Sequence, residues 1–180
     1  MSISLVVPYY EVDKGKKELL DKMISSVTGY DELIIVWNQG MGFTRAVNKG
    51  YELAKGDFIV MACDDITFNN GDLRLLVDKK GVTSPHIEGR QDQDFWGTCW
   101  CTPRWVYEKI GMIPEEYAEG IYWEDEDYWK RCQANNIPLI LNKTVTINHP
   151  HGGRTLELVG DKGVKNARNK AVFDSFWNKQ

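Results

Sequence analysis

Three short apolar runs, each ending in a turn and separated by amphipathic stretches, restrict what this chain can fold into. Ser2–Val7 is apolar, rich in β-branched residues and stopped by Pro8, and Leu33–Trp37 and Asp57–Cys63 repeat the pattern. Continuous apolar runs of this length suit strands buried on both faces. Between the first two, Leu19, Leu20, Met23, Ile24 and Val27 fall at the three-and-four spacing of an amphipathic helix over Lys16–Val27. Between the second and third, the turn Asn38-Gln39-Gly40-Met41-Gly42 opens into a helix over Phe43–Leu53, closed by Gly56 after Ala54 and Lys55. Strand, helix, strand, helix, strand in this order predicts an α/β domain with a right-handed, mostly parallel, Rossmann-like sheet. Ligands of such sheets collect at the carboxyl ends of the strands.

Beyond Cys63 the punctuation is denser. Asp72–Asp78 reads as a short helix, Gly81–Gly89 as a Gly/Pro-punctuated stretch, and Phe95–Cys101, after the polar run Glu88–Asp94, as an outer strand. Pro103–Ile110 and Glu124–Ala134 read as helices, Ile137–Leu141 and Val145–Asn148 as two late strands, and Asn166–Trp177 as a terminal amphipathic helix. With 180 residues, 42% of them hydrophobic and 12% aromatic, a single domain spanning 1–180 can bury a core, which excludes disorder as the default. No apolar stretch approaches the roughly 20 residues of a membrane span, and the N-terminus shows no basic region followed by a long apolar run. A cytoplasmic protein is the expectation. The four cysteines, Cys63, Cys99, Cys101 and Cys132, lack zinc-type spacing and are read as reduced, packed thiols, with Cys99 and Cys101 on opposite faces of a strand.

Three constellations stand out. Asp64-Asp65 ends the third strand, where adjacent carboxylates suit Mg²⁺ or Mn²⁺ or a plain turn and cap. Trp123-Glu124-Asp125-Glu126-Asp127-Tyr128 starts a helix, where a solvated, dipole-favoured first turn competes with a catalytic carboxylate against an aromatic wall fit for a sugar ring. On one helix the four acids splay, so only one or two can face a given cleft. Asn148-His149-Pro150-His151-Gly152-Gly153 follows a late strand and offers a metal-ligating histidine or a pair of surface loop histidines. Seven carboxylates between Glu115 and Asp127, and five of the seven tryptophans between Trp96 and Trp129, concentrate the unusual chemistry in one third of the chain.

Taken in order, Val6-Val7-Pro8-Tyr9-Tyr10, Ile34–Asn38, Gly42–Gly50, Ala54–Val60, Cys63-Asp64-Asp65, Phe95-Trp96-Gly97, Ile110–Ile113, Glu124–Asp127 with Arg131, His149, and Asn169 through Trp177 resemble family-two glycosyltransferases with the GT-A fold. The resemblance implies that Asp64 and Asp65 hold a divalent cation, Mn²⁺ or Mg²⁺, against a nucleotide-sugar diphosphate, with Asp65 favoured as the direct ligand. It implies His149 as the late metal ligand, with His151 as the alternative, and Asp125 as the base of an inverting reaction, with Glu124 on donor or acceptor hydroxyls. Pro8 and Tyr9 would line the nucleoside pocket, Arg45 would lie near the base and phosphates, and Trp96 and Gly97 would add donor contacts. Where such members often carry an aspartate that reads uracil, this chain has Asn38, which offers both a donor and an acceptor. A UDP-sugar is the first expectation for the donor, with dTDP- and GDP-sugars behind it.

Two other readings compete: a nucleotidyltransferase on the same fold, disfavoured by Tyr9-Tyr10-Glu11-Val12-Asp13 in place of a basic glycine-rich loop, and a carbohydrate-binding module that has lost catalysis. For the acceptor, a glycan, a protein side chain and a modified nucleobase all stay open. The net charge of −4 gives no nucleic-acid footprint, and Lys14, Lys16, Lys17, Lys162, Lys165, Arg168 and Lys170 read mainly as solvated surface. Acceptor choice is expected to fall to the loop Gly81–Asp94, the tryptophan-rich segment, or a partner subunit in a homo-oligomer.

Overall fold

The computed structural model describes residues 1–11, 13–149 and 161–178. Strands β1 (Ile3–Tyr9), β2 (Glu32–Trp37) and β3 (Phe58–Ala62) are parallel and alternate with helices α1 (Lys14–Ser26) and α2 (Phe43–Leu53), as the apolar runs require. There follow β4 (Thr67–Phe68), a 3₁₀ turn at Leu73–Leu76, β5 (Val82–Ile87), β6 (Cys99–Pro103), α3 (Arg104–Ile110), a 3₁₀ turn at Glu115–Tyr117, α4 (Glu124–Ala134), β7 (Leu139–Asn148) and α5 (Lys162–Trp177). One seven-stranded sheet runs in the order β2-β1-β3-β6-β5-β7-β4. Five strands point the same way, and β6 and β4 run against them.

Several local expectations change. Pro8 does not stop β1: the ladder to β3 covers only Ile3 to Val6, so Pro8 pairs with Val36 where β1 has β2 alone for a neighbour, and the missing N–H costs little. The Gly81–Gly89 stretch contains strand β5, which tolerates Pro85 at a register shift between Pro85 and His86. β6 begins later than expected and is central, not outer, and Cys99, Trp100 and Cys101 are fully buried. The two late strands are one, β7, and the Asp72–Asp78 helix shrinks to a 3₁₀ turn whose cap is Asp72.

Alternation along the strands divides the core into two layers. Leu5, Val7, Val60 and Ala62 face α1 through Leu20 and Met23, whereas Val6, Ile59 and Met61 face Val47 and Tyr51 of α2 and Tyr128 of α4. Cys99 and Cys101 share the first layer, because residues two apart on a strand share a face, and Trp100 between them enters the second; all four cysteines are free. The buried rings satisfy their polar edges: Trp100 Nε1 donates to the Tyr51 hydroxyl at 2.7 Å, and the hydroxyls of Thr102 and Tyr128 meet at 2.7 Å. No described helix is long and apolar enough to cross a membrane.

α2 approaches the sheet through Gly50, where an added Cβ would stand 2.1 Å from Val6 Cγ1. Alanine gains about 1 kcal/mol in helix propensity over glycine, but overpacking a stiff, buried valine costs about 1–3 kcal/mol. Gly50→Ala is therefore expected to lower the urea midpoint, with partial recovery in Gly50→Ala/Val6→Ala; a midpoint at or above wild type would contradict this packing.

Candidate functional site

The carboxyl ends of β1, β2, β3, β5 and β7 meet the amino end of the reversed β6 along one edge of the sheet. Because Ala62 of β3 pairs with Cys99 of β6, the residues after β3, Cys63-Asp64-Asp65, lie beside those before β6, Trp96-Gly97-Thr98. The two-residue strand β4 pairs Thr67 with Asn148, which draws Asp65 and His149 together from distant parts of the chain. The result is a pocket of about 530 Å³ lined by Pro8, Tyr10, Asn38, Asp64, Asp65, Arg90, Trp96, Gly97, Glu124, Asp125, His149 and Lys165, among others.

The two aspartates after β3 have different neighbours. Asp64 Oδ1 is 2.5 Å from the ammonium of Lys16, a lysine with no exposed surface on α1. Burial raises the Asp64 pKa, and the Lys16 charge opposes it. Asp64 is thus engaged through Oδ1 by a lysine, while Asp65, the aspartate favoured as the direct ligand, is not, among the described residues. Asp65 instead faces His149, whose Nε2 lies 3.3 Å from Asp65 Oδ1, with both side chains under a tenth exposed. That nitrogen is buried without a hydrogen-bond partner. Neighbouring ligands of an octahedral cation with bonds of about 2.1 Å stand about 3 Å apart, so a carboxylate oxygen and an imidazole nitrogen at this spacing fit a shared divalent ion. A carboxylate with an imidazole suits a first-row transition ion such as Mn²⁺ better than Mg²⁺. Among the described residues no cluster of three or more such ligands occurs, so the remaining coordination positions would fall to water or a bound ligand. His151 lies outside the described residues.

The first turn of α4 sorts its four acids. Glu124 and Asp125 line the cavity, Glu126 faces solvent, and Asp127 is buried under an ion pair with Arg131 at 2.7 Å and a hydrogen bond from Trp177 Nε1 at 2.8 Å. Asp125 lies over Gly97, where any Cβ would stand 2.3 Å from its carboxylate, so glycine is required there by this approach. Burial, and after it the Asp125 charge, push Glu124 up to about 8. Burial raises Asp125 as well, while the Glu126 amide, donating to Asp125 Oδ1 at 3.0 Å, favours its ionised form. Glu124 Oε2 is buried with no donor. Tyr122 and Trp123, just before the acids, adopt left-handed φ values of 61° and 73°. Non-glycine residues in this region cost of the order of 1 kcal/mol each and cluster at functional sites.

Two expected residues stand elsewhere. Tyr9 points into the core, its ring edge-on to Trp37 at 5.2 Å, because alternation along β1 turns it away from the crevice; Tyr10 lines the pocket instead. Arg45 leaves α2 toward Glu119, at 3.0 Å, and Glu115, at 3.3 Å, outside the pocket lining. Other pocket residues carried no sequence signal of their own. Arg90 stacks over Trp96 at 5.1 Å with a guanidinium nitrogen 3.5 Å from His149 Nδ1, and Lys165 reaches the cavity from α5. Lys16 did carry a signal: it is in helical register with Leu20, Met23 and Val27, the buried face of α1.

No family model matches the chain, and no curated protein matches it in sequence. Among solved structures, the catalytic domain of Drosophila β1,4-galactosyltransferase 7 in complex with xylobiose aligns with a TM-score of 0.67 at 18% identity, over 83% of this chain and 71% of that one. S. aureus TarS in complex with UDP-GlcNAc aligns at 0.62 and 14% identity, over 82% and 58%. The mannosyltransferase PcManGT from Pyrobaculum calidifontis, in complex with GDP-Man and Mn²⁺, aligns at 0.63 and 15% identity, over 94% and 64%. These likenesses define the class of architecture: the chain has the GT-A fold of glycosyltransferase catalytic domains.

Lys16→Met leaves a buried carboxylate unpaired and is expected to cost about 3–5 kcal/mol, much of it recovered in Lys16→Met/Asp64→Leu; urea denaturation of the two variants decides. Glu124 gives a second test with a definite sign. Its folded pKa of about 8 stands above the ordinary 4.5, so its contribution to stability is full below pH 4.5 and is lost as pH rises through 8. Glu124→Gln should therefore match wild type at low pH and become progressively more stable than it toward pH 8, and a constant difference across that range would refute the assignment.

Proposed function

We propose that this protein is a glycosyltransferase that moves a sugar from a nucleotide-sugar donor to an acceptor hydroxyl with inversion. One observation carries the reading: one crevice at the carboxyl ends of parallel strands is lined by both the Asp65–His149 pair and the Glu124–Asp125 pair. Asp65 and His149 would hold Mn²⁺, which when bound offsets charge on the donor diphosphate. Pro8, Tyr10 and Asn38, which line the pocket from the ends of β1 and β2, would hold the nucleoside. Asn38 Oδ1 is buried without a donor and its amide can meet a base edge that places an N–H beside a carbonyl, as uracil and guanine do. A UDP-sugar is the first choice, and a GDP-sugar the second.

In this reaction Asp125 takes the proton of the acceptor hydroxyl. The freed oxygen forms the new bond to the anomeric carbon from the face opposite the leaving group. The bond from that carbon to the diphosphate breaks, and the nucleoside diphosphate departs with the electron pair. Glu124, with a raised pKa beside Asp125, is suited to stay protonated near neutrality and to hold a sugar hydroxyl rather than compete as base. Trp96, over which Arg90 stacks, and the exposed ring of Tyr122 supply apolar surface for sugar rings at the pocket.

The test is calorimetric titration with UDP and GDP, with and without Mn²⁺. Metal-dependent binding that disappears in Asp65→Asn is expected, and no binding of either nucleotide sinks the transferase reading. Asp125→Asn should retain that binding and lose a hundredfold or more in transfer, the order expected for a missing general base. Activity equal to wild type would remove Asp125 from the mechanism.

A further inference from the structure

The left-handed pair Tyr122–Trp123 has to be held in place, because it sets the direction in which Glu124 and Asp125 leave the chain. One face of α5 does this. Asn166, Asn169, Phe173 and Trp177 recur at helical spacings of three and four along it. Trp123 Nε1 donates to Asn166 Oδ1 at 2.7 Å, and its ring packs on Phe173 at 5.1 Å. Trp177 Nε1 reaches Asp127 of α4, so the helix is pinned on both sides of the acid pair.

Asn169 sits between these contacts and is fully buried. Its Nδ2 donates to the carbonyls of Tyr117, at 3.1 Å, and Tyr122, at 2.9 Å, the second being the residue where the backbone turns left-handed. The chain makes room for it at Gly120, where a Cβ would stand 1.9 Å from Asn169 Oδ1. Beside the Glu124 carboxyl the same amide favours the ionised form against burial, although both of its N–H bonds go to the two carbonyls.

We propose that Asn169 is a positioning residue for the acid pair: from α5 it fixes the Tyr122 carbonyl and faces the Glu124 carboxyl, which sets the orientation of both Glu124 and Asp125 in the pocket. This role rests on the transferase reading for its catalytic consequence, but not for its effect on Glu124. A buried amide that only filled space would leave the Glu124 titration unmoved. The other ionisable groups acting on Glu124 are Asp125 on its own helix and the Tyr117 hydroxyl from the preceding turn, and Lys165 of α5 lines the same pocket.

The experiment compares wild type with Asn169→Ala and with the milder Asn169→Ser, which keeps a buried hydroxyl but is too short to reach both carbonyls. Carboxyl NMR follows the titration of Glu124 in the unliganded protein, and UDP affinity and UDP-glucose hydrolysis are measured with Mn²⁺. Loss of the amide should move the Glu124 midpoint above its wild-type value and cut the hydrolysis kcat at least tenfold, while UDP affinity stays within twofold. An unmoved or lowered midpoint, or UDP affinity and hydrolysis falling together in step with Tm, overturns the proposal. If wild type neither binds UDP with Mn²⁺ nor hydrolyses the sugar nucleotide, the transferase reading fails, and the Glu124 titration still decides the role of Asn169.

Discussion

Adjacent aspartates at the end of a buried central strand repel each other and would repel any anion brought to them. The fold gives each a different neighbour. Lys16, carried under the sheet by α1, meets Asp64, while His149, carried in by β7, meets Asp65. In a low-dielectric site an unpaired carboxylate costs several kcal/mol, so placement of α1 and β7 is tied to the doublet they serve. The two-residue strand β4 completes the arrangement by pairing Thr67 with Asn148, a residue away from the histidine. What results is one neutralised carboxylate next to one that shares its edge of the pocket with an imidazole.

The α4 side of the pocket is organised differently. The acids of α4 are set by a strained backbone rather than by counter-charges, and Glu124 and Asp125 remain without a lysine or arginine ion pair among the described residues. Asp127 takes the arginine, and in doing so anchors the helix to α5 through Trp177. The one acid paired to a strong cation is therefore the one turned away from the pocket. The two that face it keep raised pKa values because burial is not offset, a condition suited to acid–base work near neutral pH.

Much of this was legible in the residues. The alternation of apolar runs with amphipathic stretches placed β1, α1, β2, α2 and β3, and with them the edge where ligands gather. Repulsion among four successive acids on a helix already required that only one or two share a cleft, which is how Glu124 and Asp125 separate from Glu126 and Asp127. Local rules failed where a distant neighbour supplied the deciding term. Pro8 stays inside β1 because β3 has ended its ladder by that point, β5 accommodates Pro85 at a register shift, and β6 is central because strands far apart in sequence close around it. By residue type Lys16 reads as surface although its register with Leu20 and Met23 marks the buried face, since a lysine is expected inside only when a partner is known.

By itself the sequence determined the α/β class, the strand-end position of Asp64-Asp65 and the acidic helix start, because each depends on spacings within a few residues. Only the tertiary structure decided which carboxylate meets Lys16 and which His149, that Tyr10 and not Tyr9 faces the crevice, that Arg45 turns outward to Glu115 and Glu119, and that Asn169 reaches back to the Tyr122 carbonyl ahead of the acids. These depend on contacts between residues far apart in the chain, and strand order and helix docking, which no local periodicity encodes, bring them together.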